Sequence, residues 1–431
     1  MIKEPRVMKD FGPRPWEIDP YLKQGGYEAW KSCATKWTRE EVIAEIKKAG
    51  MRGRGGAGFP TGIKWEKVLH HRVPEHYFVC NAGEHEPGTF KDRHLLKTNP
   101  HQLLEGMLIA AHTVKAKASF VYVNHEYVEE LANLRKAAEQ ARAHGFLGKN
   151  VLGTGADLEI EFVEGQGSYV AGEETAMLES MQGRPAMPRQ KPPFYPTDFG
   201  LYGKPTLVNN VETLCNIPPL LRNGAAWFTQ VGTEKSPGTM LFSLSGAVNR
   251  PGVYELPMGT SIRTLIDECG GGVPGGRKVK AVFPGGPSFS MLTPDKLDTP
   301  MDFESLKHAG TGLGSAGVIV VDDRTCMVAT ALSYTNFFKV ESCGQCPPCK
   351  MGTINLAALL QKVEDGEGTE KDLASFLQLC GFVKGRGYCT VVTGASVIGE
   401  STLRLFRREF EEHIAQKRCP FKPVAVAGGV A

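Results

Sequence analysis

The chain has 431 residues, of which 41% are hydrophobic and 23% are charged, a composition typical of a globular protein with about two to four domains. Its 50 Lys and Arg residues almost balance 47 Asp and Glu residues, and the net charge of +3 gives no indication of a nucleic-acid or anionic-membrane surface. No run reaches the roughly 18 apolar residues of a membrane span, and the polar residues 1–10 do not predict a secretory signal.

The first 238 residues are predicted to form an N-terminal extension, wrapping over a neighbouring domain, and then a Rossmann-like α/β domain. Strands and helices alternate here, which indicates a sheet flanked by helices. The predicted strands are residues 77–80, 118–123 and 158–163. The predicted helices are residues 38–50, with Thr38 as the N-cap, and residues 103–114, 128–144 and 173–181.

Two glycine-rich loops lie in this region. Gly53, Gly55 and Gly58 satisfy the GxGxxG pattern, but a dinucleotide site requires a strand before it and a helix after it, whereas a helix precedes this loop and Pro60 follows it. Glycines still let backbone N–H groups approach a ligand closely. The nearby cations Arg52, Arg54 and Lys64 favour an anionic ligand over a flexible surface loop.

The second loop, residues 165–172, has the strand before it and the helix after it that the first loop lacks. Glu173 and Glu174 begin that helix and would repel a phosphate, so we expect hydrogen bonds to ribose or to a ring edge. Helix capping by these carboxylates is an equally good interpretation.

Two further segments are suited to a binding cleft. Residues 189–196 are extended and proline-rich, with a cation and two aromatic rings, and residues 203–213 contain the adjacent amides Asn209 and Asn210. Each alone could be an ordinary loop. The occurrence of several such segments in one domain favours a ligand site.

Residues 239–324 are predicted to form a β-grasp, ubiquitin-like domain. The predicted elements are a hairpin of strands 240–245 and 253–256, a helix 261–269, and strands 279–283 and 317–321. We find no catalytic pattern here and interpret Cys269 as a core residue.

Residues 325–431 are predicted to form a small helical bundle, from helices 326–340, 354–365, 369–379 and 396–416. Within it, Cys343, Cys346 and Cys349 follow one another at two-residue intervals on a loop. Three thiols cannot pair among themselves, so the pattern predicts an iron–sulfur cluster or a zinc site. With 11 cysteines, an odd number, this cluster also favours a reducing, cytoplasmic compartment.

A ferredoxin-like fourth cysteine is missing after Cys349. The alternatives are Cys380, Cys389 and Cys419. Cys389 is favoured because it lies in a glycine-rich loop whose backbone could close over a cluster.

The whole set of motifs resembles the NADH-binding flavin subunit of bacterial respiratory complex I, the F-type subunit of the peripheral arm. The resemblance covers about residues 21–418, and its segments are residues 52–62, 86–93, 169, 172–175, 191–194, 209–213 and 341–346. It implies an NADH dehydrogenase of the NADH:quinone oxidoreductase class. Such a subunit oxidises NADH by hydride transfer to FMN and passes single electrons to a 4Fe-4S cluster.

The resemblance also implies site residues. FMN would be held by Gly53, Arg54, Gly55, Lys64, Asn81, Glu84, Tyr169, Gly172, Glu173, Asn209, Asn210 and Thr213. NADH would contact Phe59, Glu86, Glu174, Lys191 and Phe194. The cluster would be bound by Cys343, Cys346, Cys349 and Cys389.

The implied partners are a 2Fe-2S thioredoxin-like subunit and a large multi-cluster iron–sulfur subunit. Through them the protein would lie on the cytoplasmic, inner face of the cell membrane without spanning it. Two alternatives remain: a diaphorase subunit of a soluble hydrogenase, formate dehydrogenase or electron-bifurcating reductase, and a non-catalytic scaffold whose cleft has decayed.

The chain departs from the family pattern at four positions. Gly83 stands where a carboxylate is usual beside the flavin, and Lys67 replaces an apolar residue near the adenine. His85 is an unusual neighbour of Glu86, and Pro347 replaces a threonine between the cysteines. These changes are expected to retain the flavin while shifting its potential and the preference for NADH.

Overall fold

A four-stranded parallel sheet forms the centre of the N-terminal half, as seen in a computed structural model that describes residues 4–421. Its strand order is β3-β2-β1-β4. The strands are β1 His76–Ala82, β2 Ala116–Val123, β3 Ile160–Glu164 and β4 Thr206–Asn210. The three predicted strands are confirmed, but β4 was missed because its paired asparagines suggested a loop.

Helices cover both faces of this sheet. They are α1 Ile18–Lys23, α2 Glu28–Thr35, α3 Arg39–Lys48, α4 Thr61–Leu69, α5 Lys91–Thr98, α6 Pro100–Thr113, α7 Val128–Ala143, α8 Glu174–Met181, α9 Pro196–Phe199, α10 Val211–Cys215, α11 Ile217–Asn223 and α12 Ala225–Phe228. Thr38 caps α3 in a capping box with Glu41, as the sequence predicts.

The alternation of side chains along β1 divides the core into two layers. Phe78 and Cys80 pack with α6 in the larger cluster, whereas Tyr77 and Val79 pack with α8 on the opposite face. Both faces are therefore buried, as expected of a parallel sheet.

The strand order changes direction between β1 and β4. Successive strands β2 and β3 lie on one side of β1 and β4 lies on the other, which leaves a crevice beyond the carboxyl ends of β1 and β4. Ligands of open α/β sheets bind at such a point. Asn81 and Asn210 lie at these strand ends.

A second, mixed sheet follows, with strand order β8-β7-β10-β9. After the short pair β5 Gly232–Thr233 and β6 Ser236–Pro237, its strands are β7 Thr239–Gly246, β8 Gly252–Pro257, β9 Val279–Phe283 and β10 Gly317–Asp322. All four predicted strands are confirmed. The helix predicted over residues 261–269 is confirmed: α13 Ile262–Thr264 continues directly as a π-helical turn over Leu265–Cys269. Helix α14 Phe303–His308 follows.

The C-terminal part is helical: α15 Met327–Val340, α16 Pro347–Glu364, α17 Glu370–Val383, α18 Val391–Leu405 and α19 Arg407–Gln416. The helix predicted over residues 396–416 begins earlier, at Val391, and non-helical backbone at Phe406 divides it into α18 and α19. Helix α16 begins seven residues earlier than predicted, with Pro347 and Pro348 in its first turn, where the missing N–H of proline costs no hydrogen bond.

The N-terminal segment lies against the second sheet. The backbone N–H groups of Arg6, Val7 and Met8 donate to the carboxylate of Glu255 on β8 at 2.8–3.1 Å. Among the helices of residues 4–421, we find none both long and apolar enough to cross a membrane.

Candidate functional site

The first glycine loop is a tight turn between two helices. The Gly53 N–H donates to the Phe59 carbonyl at 2.9 Å, and Arg52 and Pro60 form an antiparallel bridge. A helix, α4, does begin directly after Pro60, contrary to the expectation that proline would separate the loop from a helix. The preceding element is α3 and not a strand, so the usual dinucleotide context is still absent.

Arg54 carries the loop's only fully buried side chain. Its Nε and Nη2 donate to the carbonyls of Thr239 and Pro237 at 3.2 and 2.8 Å, and its N–H donates to Thr213 Oγ1 at 2.8 Å. Burial lowers the pKa of Arg54 to about 10. Its Nη1 has no hydrogen-bond partner among the described residues. The loop therefore retains an unsatisfied cationic donor.

Gly55 packs directly on the end of β4. A Cβ at Gly55 would lie 2.8 Å from the Cβ of Asn210. Asn210 is itself fixed, since its Nδ2 donates to Asp92 at 2.5 Å and its Oδ1 accepts from the Thr213 N–H at 3.3 Å as the N-cap of α10. Only glycine fits at position 55 without displacing Asn210.

Buried charges lie beneath this contact. Lys91 pairs with Asp92 at 2.9 Å and with Glu212 at 2.8 Å, and all three side chains are buried. Burial opposes the charge on Lys91, but the carboxylates nearby raise its pKa overall. The network fixes Asp92 in the position from which it orients Asn210.

Glu84 caps helix α5. Its two carboxylate oxygens accept from the N–H groups of Asp92 and Arg93 at 3.0 Å each, and the Tyr127 hydroxyl donates at 3.1 Å. Burial, together with the Asp92 charge, raises the pKa of Glu84 to about 7. Glu84 therefore holds α5 against the end of β1.

The second glycine loop meets the end of β1 through Asn81. The Asn81 Nδ2 donates to the Gly172 carbonyl at 2.9 Å, and its Oδ1 accepts from the Gly83 N–H at 3.0 Å. A Cβ at Gly172 would lie 2.8 Å from the Gly83 carbonyl oxygen. His85 lies beside this contact, and its buried Nε2 has no partner within residues 4–421.

Two carboxylates and two lysines form a charged group at the start of α8. Glu173 is the N-cap, accepting from the N–H groups of Thr175 and Ala176, and its other oxygen lies 2.5 Å from Lys191 Nζ. Glu174 lies between Lys191 at 3.2 Å and Lys64 at 3.3 Å. Burial opposes ionisation, yet the two lysines lower the pKa of Glu174 overall. Capping is thus confirmed for Glu173, whereas Glu174 serves as an ion-pair partner.

Glu86 joins the cleft to the second sheet. It accepts from the Tyr169 hydroxyl at 2.6 Å and from the Ser288 N–H at 3.2 Å, and burial raises its pKa. Sequence analysis missed Ser288, since it assigned no site residue to residues 239–324. The run Gly285-Gly286-Pro287 before it was the available signal, because a close backbone approach such as Gly286 to Glu86 requires glycine.

The remaining predicted side chains lie around the same crevice or on its surface. Asn209 Oδ1 accepts from the indole of Trp65 at 2.8 Å, behind the strand ends. Phe59 and Phe194 are 54% and 44% exposed. Phe194 makes an edge contact with Phe199 and lines an open groove with Arg189 and Tyr202.

The four predicted cluster cysteines surround one small cavity. Cys343, Cys346, Cys349 and Cys389 line it together with Pro188, Gln345, Gly387, Tyr388 and Val391. Cys346 is the N-cap of α16 and also accepts from the Tyr388 N–H at 3.4 Å. The Ser342 hydroxyl lies 3.2 Å from the Cys349 sulfur.

The other two candidate ligands lie elsewhere. Cys380 is fully buried within α17, and Cys419 follows α19 beside Cys326. Neither lines the cavity.

The cavity adjoins the second glycine loop. The Tyr169 N–H donates to Glu341 at 2.7 Å, two residues before Cys343, and Cys343 and Cys389 pack against the hydrophobic cluster that includes Val170. The glycine-lined crevice and the cysteine cavity therefore share one wall.

The residues present fit both expected cofactors. Four sulfurs around one cavity, with backbone N–H donors at helix starts, match the donor set of a 4Fe-4S cluster. The crevice is bordered by glycines whose Cβ atoms would clash, which allows the close backbone approach that suits a flat, phosphorylated ligand such as FMN.

Comparisons with known proteins agree with this geometry. Residues 46–219 match the family profile described as the Nuo51 FMN-binding domain, and residues 329–413 match the NADH-ubiquinone oxidoreductase-F iron-sulfur binding region. Residues 241–292 match an SLBB domain.

Among curated proteins, the chain is similar to an F-type subunit of NADH-quinone oxidoreductase from Rhizobium meliloti (strain 1021), at 45% identity covering 94% of this chain and 96% of that one. It is 43% identical to the F-type subunit of NADH-quinone oxidoreductase from Escherichia coli (strain K12), covering 97% and 93%. A solved chain of an NAD+-reducing NiFe-hydrogenase in the H2-reduced state is 34% identical with a TM-score of 0.83, covering 95% of this chain and 67% of that one. The chain belongs to the family of F-type subunits of NADH-quinone oxidoreductase.

Proposed function

We propose that the crevice and the cysteine cavity form one electron-input unit: the crevice binds FMN and NADH, and the four cysteines bind a 4Fe-4S cluster. As a member of the F-type family, the protein is an NADH dehydrogenase that uses FMN, a 4Fe-4S cluster and NADH. This proposal rests on the wall shared by the two sites, because electron transfer requires a short distance between donor and acceptor. The Tyr169–Glu341 hydrogen bond lies in that wall.

We assign FMN to the residues around the strand ends. When bound, FMN supplies an acceptor for hydride that can release its electrons singly, which no side chain does. The chain's own residues position it. Three glycines allow the backbone to approach the ligand closely: Gly53, Gly55 and Gly172. The wall of the site is formed or supported by the side chains of Arg54, Lys64, Asn81, Glu84, Tyr169, Glu173, Asn209, Asn210 and Thr213.

Three residues of this wall are assigned a structural role, in which they position other groups: Glu84, Arg54 and Asn209. Glu84 and Asn209 already use their side-chain oxygens within the protein, to cap α5 and to hold Trp65. The buried Arg54 guanidinium likewise donates within the protein, to the carbonyls of Thr239 and Pro237.

We assign NADH to the outer part of the crevice. Exposed Phe59 and Phe194 offer ring surfaces, and Lys191, with Glu174 and Glu86, offers charged groups for a nucleotide. Face-to-face placement of nicotinamide and flavin would bring the reacting atoms together. Because the transferred group is a hydride, no general base is required.

The 4Fe-4S cluster would be ligated by Cys343, Cys346, Cys349 and Cys389 and would carry one electron at a time. The N–H of Tyr388 and the hydroxyl of Ser342 would then donate to ligand sulfurs, as such donors tune cluster potentials.

We propose the domain boundaries predicted from the sequence: residues 1–238 for the FMN and NADH domain, 239–324 for a β-grasp domain and 325–431 for the helical cluster domain. The mixed sheet of β7–β10 and the match to an SLBB domain support the middle assignment. One hydrophobic cluster, with residues from Met240 to Val320, lies entirely within the proposed middle domain and supports this assignment.

The partners are other subunits of an NADH-quinone oxidoreductase. We propose that the large multi-cluster iron–sulfur subunit docks over exposed apolar side chains beside the cysteine cavity, namely Met351, Ile354, Phe382 and Tyr388. A 2Fe-2S thioredoxin-like subunit would lie beside the flavin crevice. The chain would then be held at the cytoplasmic face of the membrane by its partners.

A diaphorase subunit of a soluble hydrogenase is the second candidate, since a hydrogenase chain shares the fold at 34% identity. The curated relatives at 42–45% identity are F-type subunits of NADH-quinone oxidoreductases, which favours the first candidate. Affinity purification of the tagged chain from its own cells discriminates between them. Quinone-reductase subunits should copurify, and copurification of a NiFe subunit instead would support the diaphorase.

The activity itself is tested with the isolated, cofactor-loaded chain. NADH should reduce ferricyanide, because this artificial acceptor takes electrons without any partner subunit. A chain that binds FMN yet shows no NADH-dependent ferricyanide reduction would instead be a scaffold.

A further inference from the structure

A second group of metal-binding side chains lies within the helical part, apart from the cysteine cavity. Cys326, Glu364, His413 and Cys419 are all buried, and their ligand atoms lie within 4.8 Å of one another. None of them lines the cavity of the four cluster cysteines. The proposed FMN, NADH and cluster sites leave this group without a role.

The distances within the group suit a tetrahedral ion. The Cys326 sulfur lies 3.3 Å from His413 Nε2 and 4.0 Å from Glu364 Oε2, and His413 Nε2 lies 3.5 Å from Glu364 Oε2. Tetrahedral zinc, with Zn–S of about 2.3 Å and Zn–N or Zn–O of about 2.0–2.2 Å, separates its ligands by about 3.4–3.8 Å. The spacing of Cys326, His413 and Glu364 is therefore close to that of zinc ligands, and Cys419 lies within 4.8 Å of each of them.

The surroundings orient both kinds of ligand. His413 Nδ1 lies 2.6 Å from the Glu409 carbonyl, which can only accept, so Nδ1 carries a hydrogen and Nε2, on the side of the sulfur and the carboxylate, is the nitrogen that would bind a metal ion. Cys326 is the N-cap of α15 and accepts from the Ala329 N–H at 3.4 Å. Histidine ligands of metals are typically held in this way by a backbone carbonyl.

The group brings potential ligand atoms together away from water. His413 Nε2 lies 3.5 Å from the Glu364 carboxylate, and both side chains are buried. A bound metal ion would deprotonate the two thiols and attract the carboxylate.

The donor set identifies the metal. Two sulfurs, one imidazole nitrogen and one carboxylate oxygen in tetrahedral spacing favour Zn²⁺ over Mg²⁺ or Ca²⁺, which prefer oxygen ligands. Four protein ligands leave no open position for water, which is typical of a structural site.

We propose that Cys326, Glu364, His413 and Cys419 bind one structural zinc ion. The ligands come from the start of α15, the end of α16, the middle of α19 and the segment after α19. The ion would fasten the last helix to the two helices that flank the cluster cysteines. This proposal does not depend on the electron-input function.

Metal analysis of the full, cofactor-loaded chain tests it. Wild-type protein from zinc-supplemented medium should contain one zinc ion per chain, and Cys326→Ser and His413→Gln should lose most of it while keeping their iron. Cys380→Ser is the matched control, a buried cysteine of the same bundle outside the group, and should keep its zinc. Zinc-free wild-type protein, or equal zinc in all variants, would overturn the proposal.

X-ray absorption at the zinc edge of the wild-type protein needs no variant to fold. Two sulfur and two nitrogen or oxygen ligands are expected. A spectrum with only nitrogen and oxygen ligands, iron in place of zinc, or a Cys326–Cys419 disulfide found by mass spectrometry would each contradict it.

Discussion

The side-chain amide of Asn81, at the end of β1, donates a 2.9 Å hydrogen bond to the carbonyl of Gly172 in the second glycine loop. This bond joins two segments 91 residues apart and sets the width of the crevice between them. Gly172 also approaches the Gly83 carbonyl so closely that a methyl group would not fit. The geometry of the proposed flavin site thus depends on a backbone contact.

Replacing Gly172 by Ala should weaken FMN binding. The added Cβ would lie 2.8 Å from the Gly83 oxygen, and because that atom belongs to the backbone at the strand end, the loop must move instead. We expect the FMN dissociation constant to rise at least about tenfold, or ~1.4 kcal/mol, as measured by flavin fluorescence. Gly381→Ala, at a helical glycine with open space around it, should leave the constant unchanged.

Replacing Cys389 by Ser should abolish the 4Fe-4S cluster while leaving FMN bound. Cys389 lines the cavity with the three clustered cysteines, whereas Cys380 is buried within α17. Electron paramagnetic resonance of the reduced chain should lose the cluster signal, and NADH:ferricyanide activity should change less than about twofold. Cys380→Ser should keep the signal. A cluster that survives in Cys389→Ser would mean that the fourth ligand is a different cysteine.

Replacing Lys191 by Met should raise the KM for NADH. Lys191 bridges Glu173 and Glu174 at 2.5 and 3.2 Å, so its removal leaves two carboxylates facing an anionic nucleotide. We expect a rise of about tenfold, or ~1.4 kcal/mol, in steady-state assays, with the flavin content retained. Lys204→Met, which removes an exposed lysine that pairs with Glu75 instead, should leave the KM unchanged. An unaltered KM in Lys191→Met would place NADH elsewhere.

Glu84 should make stability depend on pH. Burial and Asp92 raise its pKa to about 7 in the folded state, above the ordinary value of 4.5. A raised carboxyl pKa contributes stability at pH values below about 4.5, and this contribution is lost as the pH rises through about 7. Compared with Glu84→Gln, the wild-type free energy of unfolding should therefore fall by up to about 3 kcal/mol between pH 5 and pH 7.5. Chemical denaturation at several pH values measures it.

The control for this pH dependence is Glu164→Gln, since Glu164 is an exposed carboxylate paired only with Arg135 among the described residues. Its unfolding free energy should follow that of the wild type across the range. Parallel curves for the wild type and Glu84→Gln would show that the Glu84 carboxyl does not hold its proton near neutral pH.

The sequence was sufficient for features that depend on local pattern. The alternation of short strand segments with helices identified β1, β2 and β3. The glycine-rich loop around Cys389 singled out that cysteine, which the structure brings to the cavity. Thr38 and its capping box were equally local. These features depend on residues that are close together in the chain, so they can be predicted without knowledge of the fold.

Features that depend on tertiary contact were missed. Ser288 lies in the loop after β9, and its N–H donates to Glu86, 202 residues away in the chain. The residues around Ser288 in the sequence do not indicate this partner. The grouping of Cys326, Glu364, His413 and Cys419 likewise arises because α15, α16 and α19 meet. The early start of α16 was missed for another reason, since two prolines suggested a loop although proline suits a helix's first turn.

An anaerobic titration of the purified, cofactor-loaded chain with NADH tests the central claim most directly. NADH should bleach the flavin absorbance, and the 4Fe-4S signal should then appear by electron paramagnetic resonance in the absence of any partner subunit. A chain whose bound flavin is not bleached by NADH would contradict the account.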